Sequence, residues 1–186
     1  MITTNDLKNG MTINYEETLY EVLYFQHVKP GKGGAFVRTK LKNLDNGTII
    51  EKTFRAGEKI EKAILETKKM QYLFRDEHYN FMDLKTYEQI PLSEKQVEQN
   101  QEFLVENMEV SITFYKGNPI SIELPVAIEA KITRTEPGVK GDTVSTTFKP
   151  AEIETGAKIQ VPLFINEGDL IKIDTRTGEY ITRISK

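Results

Sequence analysis

A chain of 186 residues with 28% charged and 38% hydrophobic side chains has the composition of a soluble globular protein, and no apolar run approaches the roughly 20 residues a membrane span needs. Its formal net charge of −3 argues against a nonspecific nucleic-acid binder, which carries a broad positive field, and the absence of cysteine excludes disulfides, thiolate metal sites and thiol nucleophiles. The opening MITTNDLKNG has neither the basic nor the apolar region of a secretory signal, so a cytoplasmic location is expected.

The first segment alternates as half-buried strands do: Met11, Ile13 and Tyr15, then Leu19 to Val28, Phe36 to Leu44, and Ile49 to Phe54. Asp45-Asn46-Gly47 between the last two reads as a type I′ hairpin turn, because Asn-Gly tolerates positive φ. Four or five short strands over residues 1–64 predict an SH3-like barrel, closed by the polar connector AGEKIEKAILETKK, which reads as a short helix or an extended linker. From Met70, two apolar runs flank the turn Arg75-Asp76-Glu77-His78. Ser93 then precedes EKQVEQNQEFLVEN, where Val97, Phe103 and Leu104 predict a short, serine-capped amphipathic helix. A hairpin follows, Met108 to Tyr115 and Ile120 to Leu124 around Lys116-Gly117-Asn118-Pro119. Strands, one helix and more strands over residues 65–127 fit an OB-fold.

Pro125 marks the next joint, and residues 128–186 read as a third small barrel. Alternation in AIEAKITRTE is followed by the loop PGVKGDTVSTTFKPA and then by strands at Glu152 to Thr155, Ile159 to Leu163, Leu170 to Ile173 and Tyr180 to Ile184. The expectation is therefore an all-β chain of three small barrels.

Charge is uneven along it. Residues 1–64 hold ten basic against eight acidic side chains (net +2), residues 65–128 six against eleven (−5), and residues 129–186 nine against nine (0). Between Val22 and Leu44 stand five cations (Lys29, Lys32, Arg38, Lys40 and Lys42) and no acid. Within that stretch, Pro30 fixes φ for a turn and Gly31 supplies the positive φ a tight turn requires, so Lys32 is thrown outward between Gly31 and the Gly33-Gly34 pair. A glycine-flanked lysine can approach a crowded RNA surface while Lys29, Arg38, Lys40 and Lys42 contact phosphates.

Enzyme chemistry finds little support. His27 and His78 lack a serine nucleophile or metal-ligand partner at a recognisable spacing, and Asp76-Glu77 diverge on a turn. GKGG lacks the GxxxxGK[ST] spacing and leads into a strand, so it is not a nucleotide-binding loop. The expectation is no catalytic residue, no metal and no cofactor.

Two long motifs carry a resemblance: FQHVKPGKGGAFVRTKLKNL with EKTFRAGEK, and EPGVKGDT followed by ETGAKIQVPLFINEGDLIKIDTRTGEYITRI. With them the chain resembles the bacterial elongation factor P family over essentially its whole length. The resemblance implies a KOW-type SH3-like domain and two OB-fold domains in an L that imitates tRNA. It further implies binding to both ribosomal subunits, their rRNA and peptidyl-tRNA between the peptidyl and exit sites, relieving stalling at consecutive prolines; a monomer is expected.

By the same resemblance Lys32 is the tip residue that a lysine-modifying enzyme extends. Pro30, Gly31, Lys32, Gly33 and Gly34 form the loop at the CCA end; Gly141, Asp142 and Thr143 approach the exit-site codon on the small subunit; Tyr180 and Arg183 lie near the tRNA anticodon arm. After Thr143 the run VSTTFKPA departs from the small-residue-rich stretch of many relatives, so loop contacts carry over only that far. Two alternatives stay open: a general structured-RNA-binding OB/SH3 module, and a paralogue with a different stalling-motif preference.

Overall fold

A computed structural model describes residues 1–137 and 148–185. Its described elements are almost entirely strands, in three antiparallel sheets. Compactness divides the chain into Met1–Glu66 with Phe114–Ile120, and Thr67–Thr113 with Ser121–Lys186.

The first unit is a six-stranded sheet of β1 (Ile2–Thr3), β2 (Thr12–Tyr15), β3 (Thr18–Val28), β4 (Phe36–Asn43), β5 (Ile49–Arg55) and β6 (Lys59–Lys62), in the order β1-β6-β2-β3-β4-β5. Alternation decides which way each side chain points: Ile13, Val22, Val37, Leu41, Phe54 and Ile60 turn inward and are buried, and Phe54 meets Tyr15 edge-on at 5.3 Å. The connector expected as a helix or linker instead supplies β6, because Ile60 completes this core opposite Ile2. The turn at Asn46-Gly47 is not type I′. Only Gly47 has positive φ (71°), and the Asn43 side-chain oxygen captures the N–H groups of Asp45 (2.7 Å) and Asn46 (3.3 Å). Residues 114–120 join this unit: Glu61 accepts from Lys116 Nζ (2.8 Å), Tyr115 Oη (3.2 Å) and Asn14 Nδ2 (2.9 Å). The Lys116 ammonium holds the Glu61 carboxyl below its ordinary range.

A second sheet, most of whose residues belong to the second unit, is made of β7 (Leu65–Arg75), β8 (Tyr79–Asp83), β9 (Gln89–Leu92), β10 (Glu109–Tyr115) and β11 (Asn118–Glu123) in the order β11-β10-β7-β8-β9, with Met70, Tyr72, Phe81, Leu92, Val110 and Ile112 buried. The β10–β11 turn is shorter than expected. Lys116 and Gly117, at φ 50° and 82°, make a two-residue connection, and Asn118 and Pro119 belong to the strand. The predicted helix is one turn long. After α1 (Glu94–Val97), whose Ser93 N–H is taken by Gln96 Oε1 at 2.9 Å, the chain breaks at Asn100 and resumes as a 3-10 turn at Gln101–Phe103. Two demands end it. The Asn100 side chain donates to the Ile122 carbonyl (3.1 Å), and Phe103 packs on the C-terminal core while Val97 is buried before the break.

The C-terminal sheet contains β12 (Ala127–Thr135), β13 (Phe148–Ile153), β14 (Lys158–Pro162), β15 (Leu170–Asp174) and β16 (Tyr180–Ser185), in the order β14-β13-β12-β15-β16. The strand expected from Glu152 to Thr155 is displaced: β13 starts at Phe148, runs through Pro150 and ends before the Thr155-Gly156 turn. Pro150 reads as a strand breaker, yet its carbonyl accepts from Thr135 Oγ1 (2.9 Å) while it sits opposite Gln160. Ile132, Ile153, Val161, Ile165, Ile171 and Ile173 form the core.

Candidate functional site

The β3–β4 hairpin pairs continuously from Phe25↔Thr39 to Val28↔Phe36 and leaves residues 29–35 as the loop. Its base is braced from several sides. Phe25 and His27 meet edge-on at 5.7 Å, Phe36 pairs with Arg55, and Ala56 N–H donates to the Ala35 carbonyl at 3.0 Å. The residue that needs glycine is Gly33, at φ +110°, rather than Gly31, since the turn closes one residue after Lys32. Gly31, Lys32, Gly33 and Gly34 are all exposed, and a Cβ placed on Gly31 or Gly34 would meet nothing within 4 Å. Lys32 thus projects into open space from a braced hairpin.

Arg38, Lys40 and Lys42 alternate with buried Val37, Thr39 and Leu41 along β4, so all three cations lie on its outer face; Lys29 is exposed in the loop. Arg38 lies over the Phe36 ring at 5.5 Å. The acid-free character of this stretch in sequence does not survive pairing. Register brings Glu51 opposite Lys40, with Nζ–Oε1 at 3.4 Å, and Glu21 opposite Lys42. Tyr24, 46% exposed and opposite Lys40, drew no attention in the sequence; its period-2 position beside the basic strand was the available signal.

At the other end, Tyr180 is half-buried against the C-terminal core. Arg183 folds inward: its Nη1 lies 3.6 Å from Oδ2 of buried Asp169, and its guanidinium lies over the Phe164 ring at 5.4 Å. Gly141, Asp142 and Thr143 fall outside the described residues. Among the described residues no helix is long and apolar enough to cross a membrane, and no group of three or more His, Cys, Asp or Glu side chains is placed to hold a metal ion.

The sequence matches three family models in succession: residues 3–60 an elongation factor P KOW-like domain, 65–122 an elongation factor P OB domain, and 128–183 the elongation factor P C-terminal domain. Among solved structures the chain resembles eukaryotic translation initiation factor 5A from Methanococcus jannaschii (TM-score 0.52, 25% identity, 66% of this chain and 91% of that one). A translation initiation factor eif-5a family protein from Naegleria fowleri shares the fold (TM-score 0.53, 14% identity, 66% and 96%). The class is that of a translation elongation factor built from KOW-like and OB modules. Elongation factor P of Natranaerobius thermophilus is 56% identical over 185 residues (99% of this chain, 98% of that protein), and that of Coprothermobacter proteolyticus 55% identical over 185 (99% and 100%). The chain belongs to the elongation factor P family.

Proposed function

We propose that this translation elongation factor binds the ribosome between the peptidyl-tRNA and exit sites and stimulates peptide-bond formation at consecutive prolines through Lys32. The observation that carries this reading is a single exposed lysine, flanked by glycines, on a hairpin tip braced at its base. Pro30, Gly31, Gly33 and Gly34 give the tip its narrow profile toward the CCA end, and a lysine-modifying enzyme extends Lys32. The outer face of β4 supports backbone contacts by Arg38, Lys40 and Lys42, joined by Lys29. Gly141, Asp142 and Thr143 serve the small-subunit codon contact, and Tyr180 with Arg183 the anticodon arm. The modules span residues 1–64, 65–127 and 128–186 of a cytoplasmic monomer.

Proline is a poor participant in peptide transfer. The ribosome makes the bond, and the tip holds peptidyl-tRNA in a reactive geometry, lowering the barrier through orientation rather than by supplying an acid or base. Converting Lys32 to alanine is expected to slow Pro-Pro-Pro synthesis on the order of 10- to 100-fold, the scale of losing a positioning contact, while ribosome affinity falls much less. Equal synthesis rates with and without the tip amine would end this reading.

A general RNA-binding module would instead use exposed aromatics on strand faces, and Tyr24 and Phe148 (50% exposed) are such residues. Identity with elongation factor P along the full length favours the ribosomal reading, with those aromatics as additional contacts.

A further inference from the structure

We infer that the C-terminal barrel carries a cleft for one or two unstacked nucleotides of single-stranded RNA, a site separate from the Lys32 tip. Its location follows from topology. β12 is the first strand of an OB barrel, β13 and β14 the second and third, and residues 175–179 join the fourth strand to the fifth. OB-folds take oligonucleotides across the faces of strands two and three, beside the loop between strands four and five. A cleft of about 1020 Å³ lies there, floored by the outer face of β13 and β14, bounded on one side by residues 175–180 and walled on another by Gln99, Glu102 and Phe103, which precede the barrel.

The outer face is chemically distinct from the rest of the barrel. Phe148 and Pro150 on β13 and Lys158 and Gln160 on β14 alternate with buried Lys149, Ala151, Ile159 and Val161. Phe148 is half exposed, although deeper burial would stabilise an apolar ring, and that leaves ring surface for a base to cover. Arg176 Nε and Nη2 donate to Asp174 Oδ1 (3.1 Å) and Oδ2 (2.6 Å), which fixes the guanidinium plane and offsets its charge. A held guanidinium serves as a second stacking plate better than as a phosphate anchor. Glu102 and Glu179 also line the cleft against Lys158 and Arg176, so it does not concentrate phosphate. This balance selects bases facing in, with Gln160 for their polar edges and the backbone outward. Duplex RNA, whose bases are stacked away, does not fit. OB clefts also take oligosaccharides, but the half-exposed Phe148 ring, the held Arg176 plane and the protein's place in translation favour RNA.

The test is a titration of fluorescein-labelled hexauridylate and hexaadenylate into the full-length protein, read by anisotropy and by amide NMR shifts. Saturable binding is expected, with shifts gathered on β13, β14 and residues 175–179. Phe148→Ala should weaken it about 5- to 100-fold and Phe148→Tyr should retain it. Because Phe148 is half exposed, melting temperature checks that Phe148→Ala stays folded. Lys32→Ala should leave hexamer binding unchanged, so failure of this site and failure of the Lys32 reading are separable. Absence of binding, equal binding by Phe148→Ala, equal competition by a 16-base-pair RNA duplex, or displacement by maltohexaose would each overturn the proposal.

Discussion

The cations of β4 and those of the C-terminal barrel have the same chemistry and opposite fates. Arg38, Lys40 and Lys42 stand on an outward strand face, whereas Lys149 is 5% exposed with Nζ donating to the Glu136 carbonyl at 2.6 Å, and Arg183 is folded onto Asp169 and Phe164. A strand's period of two explains the difference: Lys149 occupies an inward position between exposed Phe148 and Pro150, and its ammonium reaches a carbonyl that would otherwise lose a donor. A cation on one face meets partners from outside; on the other it becomes part of the barrel.

Substitutions sharpen this contrast, and the largest effects should fall inside. Lys149→Met keeps the hydrocarbon stem and removes the charged hydrogen bond, so a loss of about 1.5–3 kcal/mol is expected in urea unfolding, against less than about 0.5 for Lys42→Met. Arg183→Met leaves the Asp169 carboxylate without its cation while Asn166 N–H still donates to Oδ2 at 2.9 Å; about 1–3 kcal/mol should be lost, since the arginine is only partly buried. If Arg183→Met leaves the melting temperature unchanged, the inward assignment fails, whatever its effect on ribosome affinity.

On the outer face, stability should hold while salt dependence changes. Replacing Arg38 or Lys42 by alanine should reduce the slope of log affinity against log salt by about 0.7–1 each. Lys40→Ala should do less because Glu51 already pairs with it, and Glu51→Gln should tighten ribosome binding. The smallest effect is a titration. Arg176 holds the Asp174 carboxyl at about 2, below its ordinary 3.8. A depressed folded value means the contribution is present above pH 3.8 and lost as pH falls toward 2. Arg176→Ala should return Asp174 toward 3.8 in a carboxylate NMR titration.

Much of the fold was legible because alternation marks half-buried strands directly: β3, β4 and β5 lie within a residue or two of where Leu19–Val28, Phe36–Leu44 and Ile49–Phe54 put them. What was hidden depended on partners distant in sequence. β6 exists because Ile60 finds Ile2, α1 stops because Phe103 packs on the C-terminal core, and β13 passes through Pro150 because Thr135 takes its carbonyl. The finger and its exposed lysine were readable from glycine spacing, though the glycine needing positive φ is Gly33. Charge was read less well, since an acid-free run in sequence says nothing of Glu51 on the neighbouring strand. The C-terminal cleft left no motif because its parts come from two strands and a loop.

The seven residues from Lys29 to Ala35 are closed by one pair, Val28 with Phe36, and the space around Gly31 and Gly34 is open. Such a segment is portable: moved onto another antiparallel sheet that offers the same closing pair and a neighbouring-strand N–H for the Ala35 carbonyl, it should keep its outline. A protein built this way can exchange the chemical group worn at its fingertip while its scaffold goes on folding undisturbed.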